Sequence, residues 1–467
     1  AVGDSCLEAN TTGASNTAVG EDALKAVTTN SNNTAVGYDA LTACTGTGNT
    51  AVGFQAGDGI TSGSYNVGVG FNTLSSAVTA DGNTAVGNSA CVNLTGGTKN
   101  VAIGQSALTT ATTADNNVAI GSDAMDLVTT GSNSVAVGFQ AMFNTTTPDD
   151  NVAVGHNALF NNTTGALNTA VGKSALENNT TASSNQAFGR RALYLNTTGT
   201  ENSGLGYLAL DANTTGSYNT GVGVNALGAN TTADNNTSVG VGSLVANTTG
   251  YGNTALGQGA GETMTTGAGN VFVGNNSGAG SSGVTTGIGN TFVGYQNESF
   301  GNNSNYQIVL GFDVKSVGDA TTLTFGRGTG SNRVHNNFDS NASFTRVSDV
   351  RYKDEIQDNT DCGLAFINDL RPVTFKWRAK ADIDSSLPDY DADATERTHD
   401  AKLYGLIAQE VKESLDKHNI TDFGGWFQGE EDGIQGVSQE MFVHPLIKAV
   451  QELSAKVDDL ESKLNGE

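Results

Sequence analysis

The chain has 467 residues, 61 of them Gly and only 4 Pro, with 15% charged residues, a balance that argues against an ordinary globular enzyme of that length. Its formal charge of −25 is spread evenly: residues 1–300 hold 18 Asp+Glu against 5 Lys+Arg, residues 348–467 hold 26 against 13, and each region comes to −13. A surface of that sign repels phosphate backbones, so no nucleic-acid partner is expected, and no apolar run approaches the roughly 18 residues of a spanning helix, so no membrane insertion is expected either.

The chain opens at Ala1 in mid-repeat, which reads as a processed end with any targeting signal lying elsewhere. From there a Gly preceded by "NTAV" or its variants recurs at Gly3, Gly20, Gly37, Gly53, Gly70, Gly87, Gly104, Gly121, Gly138, Gly155, Gly172, Gly189, Gly206, Gly223, Gly240, Gly257, Gly274 and Gly294. All intervals are 17 residues except one of 16 and a last one of 20, a regularity that marks a solenoid. The unit is N-[TV]-A-[VI]-G-x-x-A-L followed by a polar arc such as Asn162–Gly165, Asn196–Gly199 or Asn247–Gly250. The β-branched residue before the Gly favours strand, the Gly supplies a positive-φ or close-packing corner, and the arc supplies turn chemistry. The Asn-Thr-Thr triplets are accordingly read as turn formers rather than glycosylation acceptors.

Coils stacked about 4.8 Å apart make a rod of roughly 80 Å. Ala35 and Val36 point to opposite faces of their strand, yet both positions are apolar in nearly every copy. One face can fill the coil's own interior; the other requires a neighbour, which argues for an oligomeric rod. The pattern resembles the head repeats of trimeric autotransporter adhesins, over about residues 1–298, with a longer period than is usual there. The fold class expected is therefore mainly β: a trimeric parallel β-roll or solenoid, then a β neck, then an α+β domain ending in a coiled-coil helix.

Residues 299–347 lose the motif but keep strand-like stretches, "YQIVLGF" at 306–312 and "TTLTFGRG" at 321–328, and read as the neck. From residue 348 onward lie both Trp, three of the four Pro and 13 of the 22 basic residues, a separate folding unit over 348–467. Its motifs "SDVRYKDEI" (348–356), "LAFINDLRPVTFKWR" (364–378), "YGLIAQEV" (404–411) and "HPLIKAVQEL" (444–453) resemble, in order and spacing, the C-terminal intramolecular chaperone of endosialidase and other bacteriophage tail spikes and fibres, a domain also found in the myelin regulatory factor. "VSQEMFVHP" at 437–445 departs from the family, which more often has a Tyr there.

That resemblance implies a trimeric folding aid that cuts itself off, a single-turnover serine peptidase with Ser348 as nucleophile and Lys353 as its base. The chemistry requires a neutral Lys353 amine, its pKa brought down by burial and nearby positive charge; Arg351 would assist, whereas Asp349 and Asp354 oppose. Five residues apart, the pair falls on opposite faces of a strand and misses the helical neighbour position, so either the backbone turns between them or the Lys comes from an adjacent chain. Ser348 Oγ reaches the Val347 carbonyl through a five-membered ring, favouring cleavage at Val347–Ser348, while attack from another subunit would suit cleavage before Asp349.

Over about residues 440–464, Leu446, Val450, Leu453, Val457, Leu460 and Leu464 recur at alternating four and three, a heptad seam. Val at a with Leu at d leans toward two strands, so the homotrimer expectation rests on the family and the rod. Cys6 and Cys91 take repeat positions held elsewhere by Ala and Leu, Cys44 and Cys362 lack metal-like spacing, and the five His are scattered; no metal and no cofactor are expected. The function expected is a structural and adhesive tail fibre or spike on a virion, engaging a host-surface receptor or glycan. The alternatives are a cellular surface adhesin with the same chaperone, an ice-binding solenoid displaying its Thr column, or a glycan-degrading spike.

Overall fold

The computed structural model describes all residues except 77, 148, 281–282, 319–320, 329–331, 338–344, 347–353, 355, 386, 388–389, 398–401, 430–432 and 467. The chain divides into two compact units, Ala1–Ser348 and Asp349–Glu467. The first is a long parallel β-solenoid of about 18 turns; the second holds small antiparallel sheets and a C-terminal helix, and the whole is mainly β.

Each solenoid turn contributes one strand of three residues, from β1 (Thr17–Val19) through β17 (Thr291–Val293). The strands pair in parallel and in step with the repeat: Thr17, Ala18 and Val19 face Thr34, Ala35 and Val36. The long interval before β17 does not disturb this register, since Val271 still faces Thr291. Parallel pairing also runs on past the recognisable motif. β18 (Ile308–Phe312) pairs with β17, and β19 (Thr322–Arg327) with β18, after which β20 (Arg333–Asn337) turns back antiparallel. Gly311 and Gly326 continue the glycine column there, so corner geometry outlasts the sequence motif around it.

Why the anchor must be glycine is visible at Gly37, where φ is +137°, a region closed to L side chains. A Cβ there would also sit 2.1 Å from the Gly53 carbonyl oxygen of the next coil. The corner thus needs both unusual backbone and close approach. After it the chain makes two more left-handed residues, as at Asp39 and Leu41. A left-handed Leu costs roughly 1–2 kcal/mol. Burying its side chain returns about 1.5–3 kcal/mol, and Leu41, like Leu24, Leu108 and Leu159, is fully buried.

The core is thin: the strand Ala, the Ala-Leu pair after the corner, and a column of asparagines. Asn33 illustrates the column. Its Oδ1 accepts the backbone N–H of Asn49 on the next coil at 2.9 Å, and its Nδ2 donates to the Gly46 carbonyl at 3.0 Å. The pattern repeats along nearly the whole shaft. A second buried column runs through Asn162, Asn179, Asn196, Asn213, Asn230 and Asn247, each amide bonding to its own turn and, from Asn179 onward, to the coil before it. These are asparagines of the Asn-Thr-Thr arcs, buried and committed to turn geometry. The next Thr extends the network, with Thr163 Oγ1 donating to the Thr180 carbonyl at 2.9 Å and so on coil after coil.

The two faces of each strand differ. Ala35 is fully buried, whereas Val36 is 36% exposed, and its counterparts Val19, Val52, Ile103, Phe188, Leu205 and Leu256 are likewise open to solvent. Within one chain only the inner face finds a partner.

Candidate autoprocessing and assembly site

The residues on which the sequence places self-cleavage, Val347, Ser348, Asp349, Arg351 and Lys353, lie outside the described residues. The boundary between the two compact units falls between Ser348 and Asp349. What the structure does describe is the unit that follows.

That unit is built on α1 (Leu364–Asp369) and α2 (Ala408–Lys417), whose apolar faces enclose Phe366, Val411, Leu415, Ile420 and Cys362, with Phe423, Trp426 and Phe442 packed around them. Burial and the nearby charges of Asp361 and Asp422 raise the Cys362 thiol above its ordinary pKa, so it stays a protonated, apolar filler. The Phe366 ring lies against Phe423 and Phe442 at centroid distances of 5.7 and 6.2 Å. β21 (Val373–Phe375) pairs antiparallel with β22 (Leu403–Gly405), Thr374 facing Tyr404, which joins the second and third sequence motifs of the domain in one sheet. An ion pair between Arg371 and Glu410 links the same two motifs, Nε donating to Oε2 at 3.0 Å; it holds the Glu410 carboxyl below its usual range. Beside this pair opens a groove of about 860 Å³ lined in part by Phe375, Trp377, Ile407 and Val437, with Trp377 largely exposed at its edge.

The last helix, α3 (Val443–Asn465), divides into two parts. Its first turns pack on α1 and bury Pro445 and Ala449, and the Glu452 carboxylate accepts the Leu364 backbone N–H at 2.7 Å. α1 has no side-chain cap of its own, so this carboxylate from 88 residues away serves one of the N–H groups that a helix start leaves open. Gly363 is the residue that makes room: a Cβ on it would meet Glu452 Oε1 at 2.4 Å. In the sequence Glu452 stands between the seam residues Val450 and Leu453; its capping role depends on a contact between remote segments that local spacing does not reveal. Beyond Glu452 the helix changes character, every residue from Leu453 to Gly466 being exposed. Leu446, Val450, Leu453, Val457, Leu460 and Leu464 all lie open, from 44% at Val457 to 87% at Leu464.

The family described as the chaperone of endosialidase matches residues 348–420. No curated protein and no solved structure matches the chain. The match begins on Ser348, spans the first three motifs and supports reading the C-terminal unit as an intramolecular chaperone domain. It ends before α3, so the exposed heptad seam rests on the geometry alone.

Proposed function

We propose that residues 1–347 form the shaft of a homotrimeric fibre or spike of the tail-spike kind, carried on a virion and used for host attachment, and that 348–467 assembles it. The observation that carries this reading is α3. About 14 residues of exposed helix are marginal in water, yet this stretch bears an apolar seam along its length. Three such helices bury that seam in one another, and the chaperone units are thereby gathered before the shafts pair. The exposed column that includes Val36, Phe188 and Leu205 then gives each shaft an apolar face to lay against its neighbours.

Once the trimer is formed, Ser348 attacks the Val347 carbonyl with Lys353 as base. The Val347–Ser348 peptide is replaced by an ester on Ser348 Oγ, the proton passes through Lys353 to the departing Ser348 amine, and water opens the ester to free a shaft ending at Val347. Release leaves the shaft kinetically locked, because re-forming it would have to begin without its aligner.

The test is the mass of freshly expressed protein under denaturing conditions, beside Ser348→Ala and Lys353→Ala. Two fragments from the wild type and one full-length chain from each variant are expected. Three identical full-length masses would remove the peptidase, and a wild-type monomer in sedimentation would remove the trimer.

A further inference from the structure

Only five basic residues serve positions 1–300, and three of them, Lys173, Arg190 and Arg191, fall on two successive coils. Two of the three stand in one column. The residue after the anchor glycine is Phe139, His156, Lys173, Arg190 and Tyr207 on five consecutive coils, and in-register parallel pairing stacks those coils directly on one another. All five side chains are exposed.

Like charges on rungs about 4.8 Å apart repel, and an acidic rod has carboxylates enough to neutralise them. They are not so used. Among the described residues no carboxylate lies within 4.0 Å of Lys173 or Arg190, while their neighbour Arg191 is paired with Asp211 at 3.8 Å and lies over the Tyr194 ring at 4.3 Å. The Arg190 guanidinium lies 5.6 Å from the Tyr207 ring centroid, a contact that orients its planar fork without using its N–H donors. At the other end of the column the Phe139 and His156 rings are 5.3 Å apart.

We infer that this column binds an acidic polysaccharide. Carboxylate or sulfate groups on neighbouring sugars meet Lys173 and Arg190 in charge-assisted hydrogen bonds, and Phe139 and Tyr207 offer apolar surface to sugar rings at either end. The field of the rod selects against denser polyanions: a duplex carries one charge per about 1.7 Å of axis and is repelled by the −13 spread along residues 1–300, whereas a polysaccharide charged once per sugar or less meets chiefly the local cations. The inference rests on the reading of the shaft as an attachment fibre and gives that attachment a ligand class and a place.

The experiment uses the full chain and the double variant Lys173→Ala/Arg190→Ala, both exposed positions away from the core. Each is passed over immobilised hyaluronan, which carries carboxylates, chondroitin sulfate, which carries sulfates as well, and neutral dextran. The wild type is expected to bind one or both charged surfaces and not dextran, and the variant to bind at least about tenfold more weakly, the loss appropriate to one or two charge-assisted hydrogen bonds. Equal binding by both proteins, or none by the wild type, overturns the patch. So does single-stranded DNA that competes as well as the soluble polysaccharide, and so does a variant whose oligomeric state has changed, since the column would then belong to a contact between chains. Sedimentation of the same samples separates the two failures. A trimer that holds no polysaccharide overturns the patch alone, while a monomer that holds it overturns the fibre.

Discussion

Asn185 donates to the Gly199 carbonyl at 2.9 Å and accepts the Asn202 backbone N–H at 3.0 Å, both in fully buried surroundings. Replacing it with Ala therefore strands the Asn202 backbone N–H, which water does not reach, at about 1–3 kcal/mol, while the Gly199 carbonyl keeps the Asn196 amide at 2.9 Å. Gly172→Ala acts on the backbone instead: φ is +133°, and the new Cβ would lie 2.6 Å from the Gly189 carbonyl oxygen, so the coil must deform. Both variants are expected to lower the shaft's thermal midpoint at fixed protein concentration, whereas Lys173→Ala, on the exposed column, leaves it unchanged. An Asn185→Ala shaft that melts with the wild type would show that the column is dispensable. The glycine was legible in the sequence because positive φ admits little else. The asparagine was not, because two sets of Asn recur with the same period and a turn former and an internal ladder look alike until the coil is closed.

Glu452 connects two helices, and its substitution separates charge from packing. Glu452→Ala removes the acceptor for the Leu364 N–H and should destabilise the chaperone unit by about 1 kcal/mol, with Glu452→Gln recovering part of it, since an amide oxygen accepts the bond without the charge. Denaturant unfolding followed by helical signal reads both; identical curves would mean that α1 needs no cap. Acid sets the two units apart. Hydrogen bonds from Lys417 and His418 hold the Asp369 carboxyl below its ordinary pKa, and Arg371 does the same for Glu410. Depressed folded values mean stability that is present above the unfolded pKa and lost as pH falls through the folded one. In the shaft, desolvation raises Asp58, Asp126 and Asp211, so a penalty present at neutral pH disappears as pH falls through those raised values. Acidification from neutral toward about pH 3, below the ordinary carboxylate range, is therefore expected to lower the melting of the helical signal while the strand signal holds or rises. Parallel loss of both would contradict the assignment. The heptad seam was legible as a seam from spacing alone, but that its second half is exposed among the described residues follows only from the folded unit.

Along one shaft, register is fixed by the chain itself, since each coil is covalently tied to the next. Between shafts nothing comparable acts. Sliding one rod past another by a whole coil sets an apolar residue against an apolar residue and corner Gly against corner Gly again, because the strand register repeats with the motif. The features that break the repetition are local: among them the stacked Tyr38, Phe54 and Phe71, the Phe143 and Phe160 pair, the Lys173 and Arg190 column, Phe272 over Phe292, and the short and long coils. Of these the Phe272 and Phe292 rings are buried inside their own coil and meet no neighbour. A misaligned trimer thus forfeits the coils left overhanging and little else, and escape from it requires separating every coil already paired. Alignment before pairing removes the trap, which is what an association seam at the C-terminus supplies. A chain ending at Val347 is accordingly expected to give a mixture of lengths and aggregates in sedimentation and electron micrographs, and Leu453→Asp/Leu460→Asp in the full chain is expected to reproduce that mixture with the chaperone unit still present. Ser348→Ala separates alignment from release, giving uniform rods that keep their C-terminal unit. If the truncated chain yields uniform rods as readily as the full one, the shaft finds its own stagger and the C-terminal unit has some other task.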